Sequence, residues 1–481
     1  MNQSSSFYEM LSKFFDTLDG IIWGAPLMVV LMFIGIYLTF RLKWIQVSKL
    51  GLACRLVFTP HTPDADKKGE ITSFAALCTA LASTIGTGNI VGVATAVHMG
   101  GAGSLFWMFM AALFGMATKY SECLLAVKYR HIDDHGRYCG GPMYYIDKGL
   151  KSKWLAKIFA LLTIGAACFG IGTYCQVNSM VAANTIMFDL NPLSSCVLIT
   201  IAVALVTLGG LRSISVVSSK IIPIMALFYI GGCLAVILSN LSGIPDAIVK
   251  IVESAFSFEA GVGGATGIGI LVAMRFGIAR GMFSNEAGLG SAPIAAATAK
   301  TKFSAEQGLI NMTGTFFDTI IICMLTGLCI ILTGADVVSL NGAELTTQAF
   351  SIAMGKTWGV YIVNIGLLLF AFTTIISWNY YAESALVYLA GTKYIYVYRV
   401  TYILIVASAA FITLDVVWVL ADILNGLMAL PNLLAIFLLR KDIVEETKIY
   451  LKYLFTRKNG EALVGPDEDF EEDIFKGKQR K

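Results

Sequence analysis

Long apolar runs recur along this 481-residue chain, and they constrain its fold more than any other feature. A helix of about 20 apolar residues crosses the hydrocarbon core of a bilayer. Only 14% of the residues are charged, against about 25% in soluble domains, so much of the surface must face lipid. We predict an all-α polytopic membrane protein with about 11 transmembrane helices. These lie near residues 21–40, 72–98, 103–127, 156–182, 194–211, 217–239, 263–297, 307–333, 358–390, 398–414 and 417–439.

Lysine and arginine are concentrated in alternate loops between these spans. The loops after the first and third spans carry many of them, whereas the opposite set of loops holds only Lys13, Lys250 and Lys356. Because basic loops remain in the cytoplasm, we expect the N-terminus outside and the C-terminus in the cytoplasm. The predicted parts are an external segment (1–20), a transmembrane domain (21–440) and a cytoplasmic tail (441–481).

The tail divides into two parts. Residues 441–456 alternate charged with apolar side chains, as an amphipathic surface helix does. Residues 460–481 are rich in glycine and acidic residues and then basic, which is typical of a disordered segment.

The second span contains a polar, glycine-rich interruption. Gly86, Thr87, Gly88 and Asn89 lie in the middle of its apolar sequence. Glycine in a membrane helix often serves only close packing between helices, and that interpretation stays open for the glycines alone. The polar side chains that cluster around them favour a break in the helix. Backbone groups freed by a break at this depth must line a cavity or bind an ion.

The seventh span contains a second interruption, in the sequence FGIARGMFSNEAGLGSAP (276–293). A charged residue at this depth, such as Glu286, costs about 2.5–3.5 kcal/mol and is a functional candidate by default. We predict a break near Gly281. The alternative is that the helix ends near Phe283 and that Asn285 and Glu286 only cap its cytoplasmic end.

The two interruptions occupy corresponding positions in two halves of the chain. Their spans run in opposite directions and are five spans apart. Broken helices in corresponding positions are the sequence sign of inverted repeats with a binding site between them. The predicted repeats are residues 72–239 and 263–439, and the first span lies outside them.

The fourth and ninth spans contribute further polar groups. Gln176 in the fourth span either bonds to a neighbouring helix or faces a site. Thr373 and Thr374 are adjacent in the ninth span. Such threonines often bond to carbonyls of their own helix. Their hydroxyls are also the neutral oxygens that a hard cation accepts, and both interpretations stay open at this point.

Three motifs give the chain a family resemblance. The sequences STIGTGNIVG (83–92), GPMYY (141–145) and above all RGMFSNEAGLGSAP (280–293) resemble those of the alanine/glycine:cation symporters. The resemblance extends from about residue 20 to 440. It implies a LeuT-like fold, with a five-plus-five inverted repeat preceded by one extra N-terminal helix, in the inner (plasma) membrane of a prokaryote.

The resemblance also implies positions for the transported molecules. The substrate-binding positions are the backbone of Thr87 and Gly88 for the carboxylate, Gln176 opposite the amino group, Trp378 as an aromatic wall, and Phe276, Met282 and Phe283 as lids. Thr173 is a further substrate-binding position. The sodium ligands are the carbonyls of Ala82, Ile85 and Phe370 and the hydroxyls of Thr373 and Thr374. Relatives often carry Asn-Met where this chain has Thr173–Tyr174, which leaves the preferred substrate open.

The expected function is sodium-coupled symport of a small neutral amino acid, alanine or glycine, into the cell. The expected partners are therefore the amino acid, Na⁺ and membrane lipid, and no nucleic acid. Alternatives are a glutamine or serine symporter and a channel-like facilitator. We expect no enzyme activity, because neither a Gly-x-Ser-x-Gly nucleophile motif nor a histidine-based zinc motif occurs.

Overall fold

The structure is a computed structural model, and it describes residues 13–15, 17–58, 68–257, 269–409 and 414–458. Helices account for most of these residues. The strands named within them are β1 (His131–Ile132) and β2 (Tyr138–Cys139), which form a small antiparallel hairpin. The predicted all-helical class is therefore confirmed.

The helices are numbered along the chain. In order they are α1 (Ala25–Arg41), α2 (Ile45–Ser48), α3 (Leu50–Phe58), α4 (Ser73–Thr84), α5 (Val91–Gly100), α6 (Gly103–Lys128), α7 (Pro142–Leu150), α8 (Lys153–Phe169), α9 (Tyr174–Phe188), α10 (Pro192–Thr207), α11 (Gly210–Leu238), α12 (Ile244–Phe256), α13 (Gly269–Asn285), α14 (Ala292–Ala296), α15 (Ser304–Thr315), α16 (Met324–Leu332), α17 (Gly342–Met354), α18 (Lys356–Ala390), α19 (Ile395–Ser408), α20 (Leu414–Leu438) and α21 (Arg440–Lys458). A π-helical segment, Phe316–Cys323, joins α15 to α16, and 3₁₀ turns lie at Thr87–Asn89, Leu241–Gly243, Ala335–Val337 and Thr392–Tyr394.

Six helical runs in the described residues are long and apolar enough to cross a membrane. They are Lys13–Arg41, Lys153–Phe188, Gly210–Leu238, Ser304–Leu332, Lys356–Ala390 and Val417–Leu438. Large apolar side chains such as Leu205, Leu227 and Leu404 are 65–77% exposed on the outer surface, which suits contact with lipid rather than water. The multi-pass architecture is confirmed, whereas the count of 11 and the extra N-terminal helix stay predictions.

Some predicted boundaries differ from the observed ones. The first run begins at Lys13 rather than residue 21, so part of the predicted external segment is helical. Helices α7, α12 and α17 lie in segments that were predicted as loops. Parts of the predicted spans 263–297 and 398–414, and the predicted disordered segment 460–481, lie outside the described residues.

The C-terminal helix α21 packs against the rest of the molecule on one face. The Tyr120 hydroxyl of α6 lies 2.7 Å from the Thr447 hydroxyl. The Glu446 carboxylate accepts a hydrogen bond from Ser304 at the start of α15, 2.8 Å, and lies 3.1 Å from the Lys128 ammonium. The amphipathic helix predicted for 441–456 is therefore present, and its buried face contacts protein.

Helix α18 crosses the middle of the structure. Its 35 residues span about 52 Å at 1.5 Å per residue, more than a bilayer core needs. It packs against α4, α8, α9 and α11, and its central residues from Phe370 to Ala385 are mostly buried. The centre of α18 therefore faces the interrupted second span.

Candidate functional site

The predicted interruption of the second span is a break between two short helices. Helix α4 ends at Thr84, Gly86 is extended, and α5 begins only at Val91 after one 3₁₀ turn. The Asn89 side-chain oxygen accepts a hydrogen bond from the Gly86 N–H, 2.9 Å, and so closes the turn. The break predicted at Gly86–Asn89 is confirmed.

The seventh span is also broken, but not at the predicted residue. Helix α13 runs unbroken through Gly277 and Gly281 to Asn285. These two glycines allow close packing on α6, because a Cβ at Gly277 would lie 2.3 Å from the Ser104 carbonyl oxygen and one at Gly281 would lie 3.1 Å from Met108. The break near Gly281 was therefore wrong, since close packing, not a break, explains those glycines.

The observed break extends from Glu286 to the start of α14. Glu286, Gly288 and Gly290 have φ values of 54°, 94° and 83°, in the left-handed region that no helix continues. The Glu286 carboxylate is fully buried and accepts hydrogen bonds from Trp378 Nε1, 2.9 Å, and from the Ser83 hydroxyl, 3.0 Å. Glu286 therefore joins α4, α18 and this break, and it is not an exposed cap.

Three of the five predicted sodium ligands meet between α4 and α18, namely Ile85, Phe370 and Thr374. The Thr374 hydroxyl donates to the Phe370 carbonyl, 3.0 Å, and lies 3.5 Å from the Ile85 carbonyl at the break. The Thr373 hydroxyl also donates to the Phe370 carbonyl, 3.0 Å. Ala82 lies three residues before Ile85 on the same helix and is fully buried. Both hydroxyls bond to their own helix, yet one of them also faces the break.

Four of the predicted substrate positions meet at the first break. The Thr87 N–H donates to Gln176 Oε1, 3.3 Å, and the Gln176 amide donates to the Ile171 carbonyl, 2.9 Å. Gly88 faces α13, where a Cβ would lie 3.2 Å from Phe283 Cδ1. The backbone of Thr87 and Gly88 therefore lies between Gln176 on one side and Phe283 on the other.

The fourth span is interrupted as well, which the sequence analysis did not predict. Helix α8 ends at Phe169 and α9 starts at Tyr174. The Thr173 hydroxyl donates to the Ala167 carbonyl, 2.6 Å, and lies 2.9 Å from the Tyr402 hydroxyl. Thr173 thus holds its own break together, and its hydroxyl is not directed at Gly88.

The other predicted substrate residues are dispersed. Trp378 is fully buried and bonds to Glu286. Met282 lines a small crevice with Leu31 of α1 and faces away from Gly88. Phe276 lines a cavity of about 650 Å³, which also borders Arg280. Phe276 therefore borders a space large enough for a small molecule.

Two cavities approach the breaks from opposite ends of α18. The 650 Å³ cavity is bordered by Asn364 and Leu367 of α18, and a second cavity of about 220 Å³ is bordered by Glu383 and Val387. Thr374 lies between these two sets of residues along the same helix. The candidate site therefore occupies the barrier between the cavities.

Each cavity borders a partly buried ion pair. Arg280 of α13 makes two hydrogen bonds to Asp422 of α20, 3.0 and 2.7 Å, and lies over the Trp418 ring. At the other cavity, Arg399 of α19 binds Glu383 of α18 at 2.6 and 2.8 Å. Pairs of this two-pronged geometry are strong and directional, and each connects two different helices.

Sequence reasoning missed one acid at this site. Asp318, in the π-helical segment, is fully buried and accepts hydrogen bonds from Asn89 at the first break, 2.8 Å, and from Ser284 at the end of α13, 2.8 Å. The signal was a single acidic residue within an apolar span, which is costly in a membrane.

Comparison with known proteins identifies the family. The model of the sodium:alanine symporter family matches residues 8–463. The sodium/alanine symporter AgcS of Methanococcus maripaludis is 46% identical over 442 residues, 90% of this chain and 96% of that protein. The probable sodium/glutamine symporter GlnT of Bacillus subtilis is 35% identical over 471 residues, 97% of this chain and 95% of that protein.

The fold resembles that of a solved structure at low sequence identity. The crystal structure of MhsT in complex with L-phenylalanine matches with a TM-score of 0.55 and 13% identity, over 79% of this chain and 93% of that one. The predicted LeuT fold is confirmed by this likeness. Because the family model covers nearly the whole chain, and a relative at 46% identity covers 90% of it, this chain belongs to the sodium:alanine symporter family.

Proposed function

We propose that this protein imports alanine or glycine across the prokaryotic plasma membrane by symport with Na⁺. The observation that carries the proposal is the meeting of Ile85, Phe370 and Thr374 oxygens beside the broken second span. Neutral carbonyl and hydroxyl oxygens suit a small, hard cation. The family and the sodium/alanine symporter of Methanococcus maripaludis support the same ion and substrate.

In this mechanism the ion and the substrate share the first break. Na⁺ binds the carbonyls of Ala82, Ile85 and Phe370 and the two hydroxyls of Thr373 and Thr374. Its charge then lies close to the backbone N–H groups of the break, which favour the substrate carboxylate. Each ligand therefore strengthens the binding of the other by the same factor.

Close packing around Gly88 supports a small substrate. A Cβ added at Gly88 would lie 3.0 Å from Ser284 Cα and 3.2 Å from Phe283 Cδ1 of α13. The space beside the carboxylate position is therefore narrow. Tyr174 does not reduce this space, because its hydroxyl lies 3.0 Å from Ser408 on α19. These contacts favour alanine or glycine over glutamine.

A glutamine or serine symporter is the second candidate, and the probable sodium/glutamine symporter GlnT supports it. A channel-like facilitator is the third. An uptake screen over alanine, glycine, serine and glutamine in proteoliposomes separates the substrates. A carrier shows sodium-dependent counterflow and a channel does not, so this measurement separates the two.

The sodium assignment is tested by two substitutions of Thr373. Thr373→Ala removes one ligand and keeps the helix, because alanine is the better helix former. We expect the sodium concentration for half-maximal alanine uptake to rise about tenfold, which corresponds to ~1.4 kcal/mol. Thr373→Ser keeps the oxygen and is expected to resemble the wild type. If the two variants behave alike, the hydroxyl serves only its own helix and this ion site is wrong.

A further inference from the structure

The turn after α1 places three basic side chains beside two exposed aromatic rings. Arg41 ends α1, Lys43 lies in the turn, and Lys49 lies between α2 and α3. Phe40 and Trp44 are 63% and 40% exposed, and the centres of their rings are 5.6 Å apart. Tryptophan together with basic residues is typical of the boundary between lipid tails and headgroups. These five residues form the basic corner.

The backbone of the basic corner adopts an unfavourable conformation. Lys43 and Trp44 have φ values of 57° and 55°, in the left-handed region that a residue with a Cβ rarely adopts. The Lys43 N–H donates to the Phe40 carbonyl, 3.1 Å, and the Trp44 N–H donates to the Thr39 carbonyl, 2.8 Å. The Gln46 amide donates to the Thr39 hydroxyl, 2.7 Å, and fixes the same turn from α2. Because glycine would form this turn without strain, the strained residues indicate a function for their side chains.

The charges of the basic corner are not neutralised by nearby acids. No aspartate or glutamate occurs between residues 20 and 63, whereas four basic residues do. Within the described residues, no ion pair includes Arg41, Lys43 or Lys49. Arg41 and Lys43 are exposed, and Lys49 is half-buried. The three cations are therefore available to a negatively charged partner outside the chain.

The opposite face of the same segment packs on the rest of the protein. Ile45, Ala53 and Val57 are buried. Helix α2 packs against α6, and α3 packs against α15. At the end of α3 the ring of Phe58 lies 6.5 Å from that of Phe317 in the eighth span. The basic corner is therefore held in a fixed position at the end of α1, with its cations and rings directed away from the protein.

We propose that the basic corner binds the headgroup of an anionic phospholipid in the leaflet where α1 ends. The Arg41 guanidinium and the ammonium groups of Lys43 and Lys49 bind the phosphate oxygens through charge-assisted hydrogen bonds. The rings of Phe40 and Trp44 contact the lipid at the level of the headgroup, where aromatic side chains are enriched. Clusters of basic residues at the end of a membrane helix attract anionic lipids in this way. This binding does not depend on which amino acid or ion the protein transports.

The experiment measures lipid binding to the purified full-length protein in detergent. Phosphatidylglycerol is the anionic probe and phosphatidylcholine the neutral one, and native mass spectrometry gives the affinity of the first bound lipid. We expect the wild type to bind phosphatidylglycerol about tenfold more tightly than phosphatidylcholine, and the double variant Arg41→Gln/Lys43→Gln to lose this preference. The matched control is Lys153→Gln/Lys157→Gln, which removes two exposed cations beside the exposed Trp154 at the start of α8 and should retain the preference.

A second variant separates the charge from the fold. Glycine adopts the φ value of residue 43 without strain, so Lys43→Gly removes one cation and should leave the melting temperature of the lipid-free protein unchanged or higher. Its affinity for phosphatidylglycerol should still fall several-fold. Lys43→Gly therefore carries the test if the double variant does not fold.

Amide hydrogen exchange locates the bound lipid. Phosphatidylglycerol should slow exchange at residues 39–49 of the wild type and should not do so in Lys43→Gly or the double variant. Phosphatidylcholine should have little effect. Inorganic phosphate at the same concentration should also have little effect, because it lacks the part of the lipid that the two rings contact.

Several outcomes would overturn the inference. One is equal affinity of the wild type for the two lipids, and another is full affinity for phosphatidylglycerol in Lys43→Gly and in the double variant. A third is an equal loss in Lys153→Gln/Lys157→Gln, which would assign the attraction to the charge of the whole surface. A fourth is protection of residues 39–49 by inorganic phosphate as strong as that by phosphatidylglycerol, which would make the basic corner a site for a free anion.

Discussion

Two glycines one turn apart at the first break have different surroundings. A Cβ at Gly88 would lie 3.0 Å from Ser284 Cα and 3.2 Å from Phe283 Cδ1. A Cβ at Gly92 would meet only Arg280 Cδ, at 4.0 Å. Gly88 therefore sets how closely the two broken helices approach each other, and Gly92 does not.

This difference gives a prediction for substitutions at Gly88. Gly88→Ala must displace the α13 backbone, an overpacking cost of about 1–3 kcal/mol, so we expect alanine uptake at limiting substrate to fall about tenfold or more. Gly88→Val is expected to eliminate uptake while the protein still folds and inserts. The matched control Gly92→Ala should transport normally. Uptake in proteoliposomes measures all three, and normal alanine affinity in Gly88→Val would move the substrate site elsewhere.

At the residue scale, sequence reasoning found the neutral polar groups better than the acids. Gly86 was recognisable because polar residues cluster around it in an apolar run. Asp318 was not, because one acid in the sequence FFDTIIIC carries no sign of its partners, which come from Asn89 and Ser284 far along the chain. Glu286 was noticed, but its contact with Trp378 depends on tertiary packing.

At the element scale, Arg130 connects the two broken helices at the end that is predicted to face the cytoplasm. Its guanidinium donates to the carbonyls of Ala297, 3.2 Å, and Ala299, 2.9 Å, and to that of Lys68, 3.1 Å. The segment before α4 also pairs with the segment after α14, since the Lys300 N–H donates to the Ile71 carbonyl, 2.8 Å. Helices α4 and α14 are therefore linked at this end.

Removing this link should loosen both segments together. Arg130→Ala deletes three charge-assisted hydrogen bonds, two of them part-buried and one exposed, and we expect a loss of about 1–3 kcal/mol in local stability. Amide hydrogen exchange should become faster both at 68–71 and at 297–301. The control is Lys153→Ala, an exposed residue at the start of α8. Faster exchange in only one of the two segments would show that they are not coupled through Arg130.

The elements themselves were partly predictable. Apolar runs located the long helices because a bilayer demands about 20 apolar residues, and the break at Gly86 followed from its polar neighbours. The break at Glu286 was misplaced, since Gly281 and Gly288 look alike in sequence and only Gly288 adopts a left-handed φ. The break before Tyr174 was missed, because glycines in an apolar run predict packing as readily as a turn.

At the scale of the whole molecule, the basic loops gather at one end. Arg130 contacts the backbone at Lys68 and Ala299. The C-terminal helix reaches the same end, where Lys128 pairs with Glu446. The Lys250–Asp336 pair belongs to the segments that join the opposite ends of the spans. The orientation itself stays a prediction, in which this basic end lies in the cytoplasm.

The orientation can be tested with two exposed residues at opposite ends of α18. His135 lies 3.2 Å from Thr392, just beyond the end of α18, and its neighbour Asp134 is exposed. Thr357 is exposed at the start of α18. The two ends of this helix are about 50 Å apart. Single cysteines at these positions, in a Cys54→Ser background, are treated with a membrane-impermeant maleimide on intact cells. We expect Thr357→Cys to be labelled, and Asp134→Cys only after the cells are permeabilised, because the charge distribution places residue 134 inside. The reverse pattern would show that the protein has the opposite orientation, and labelling of both on intact cells would contradict a crossing of the membrane by α18.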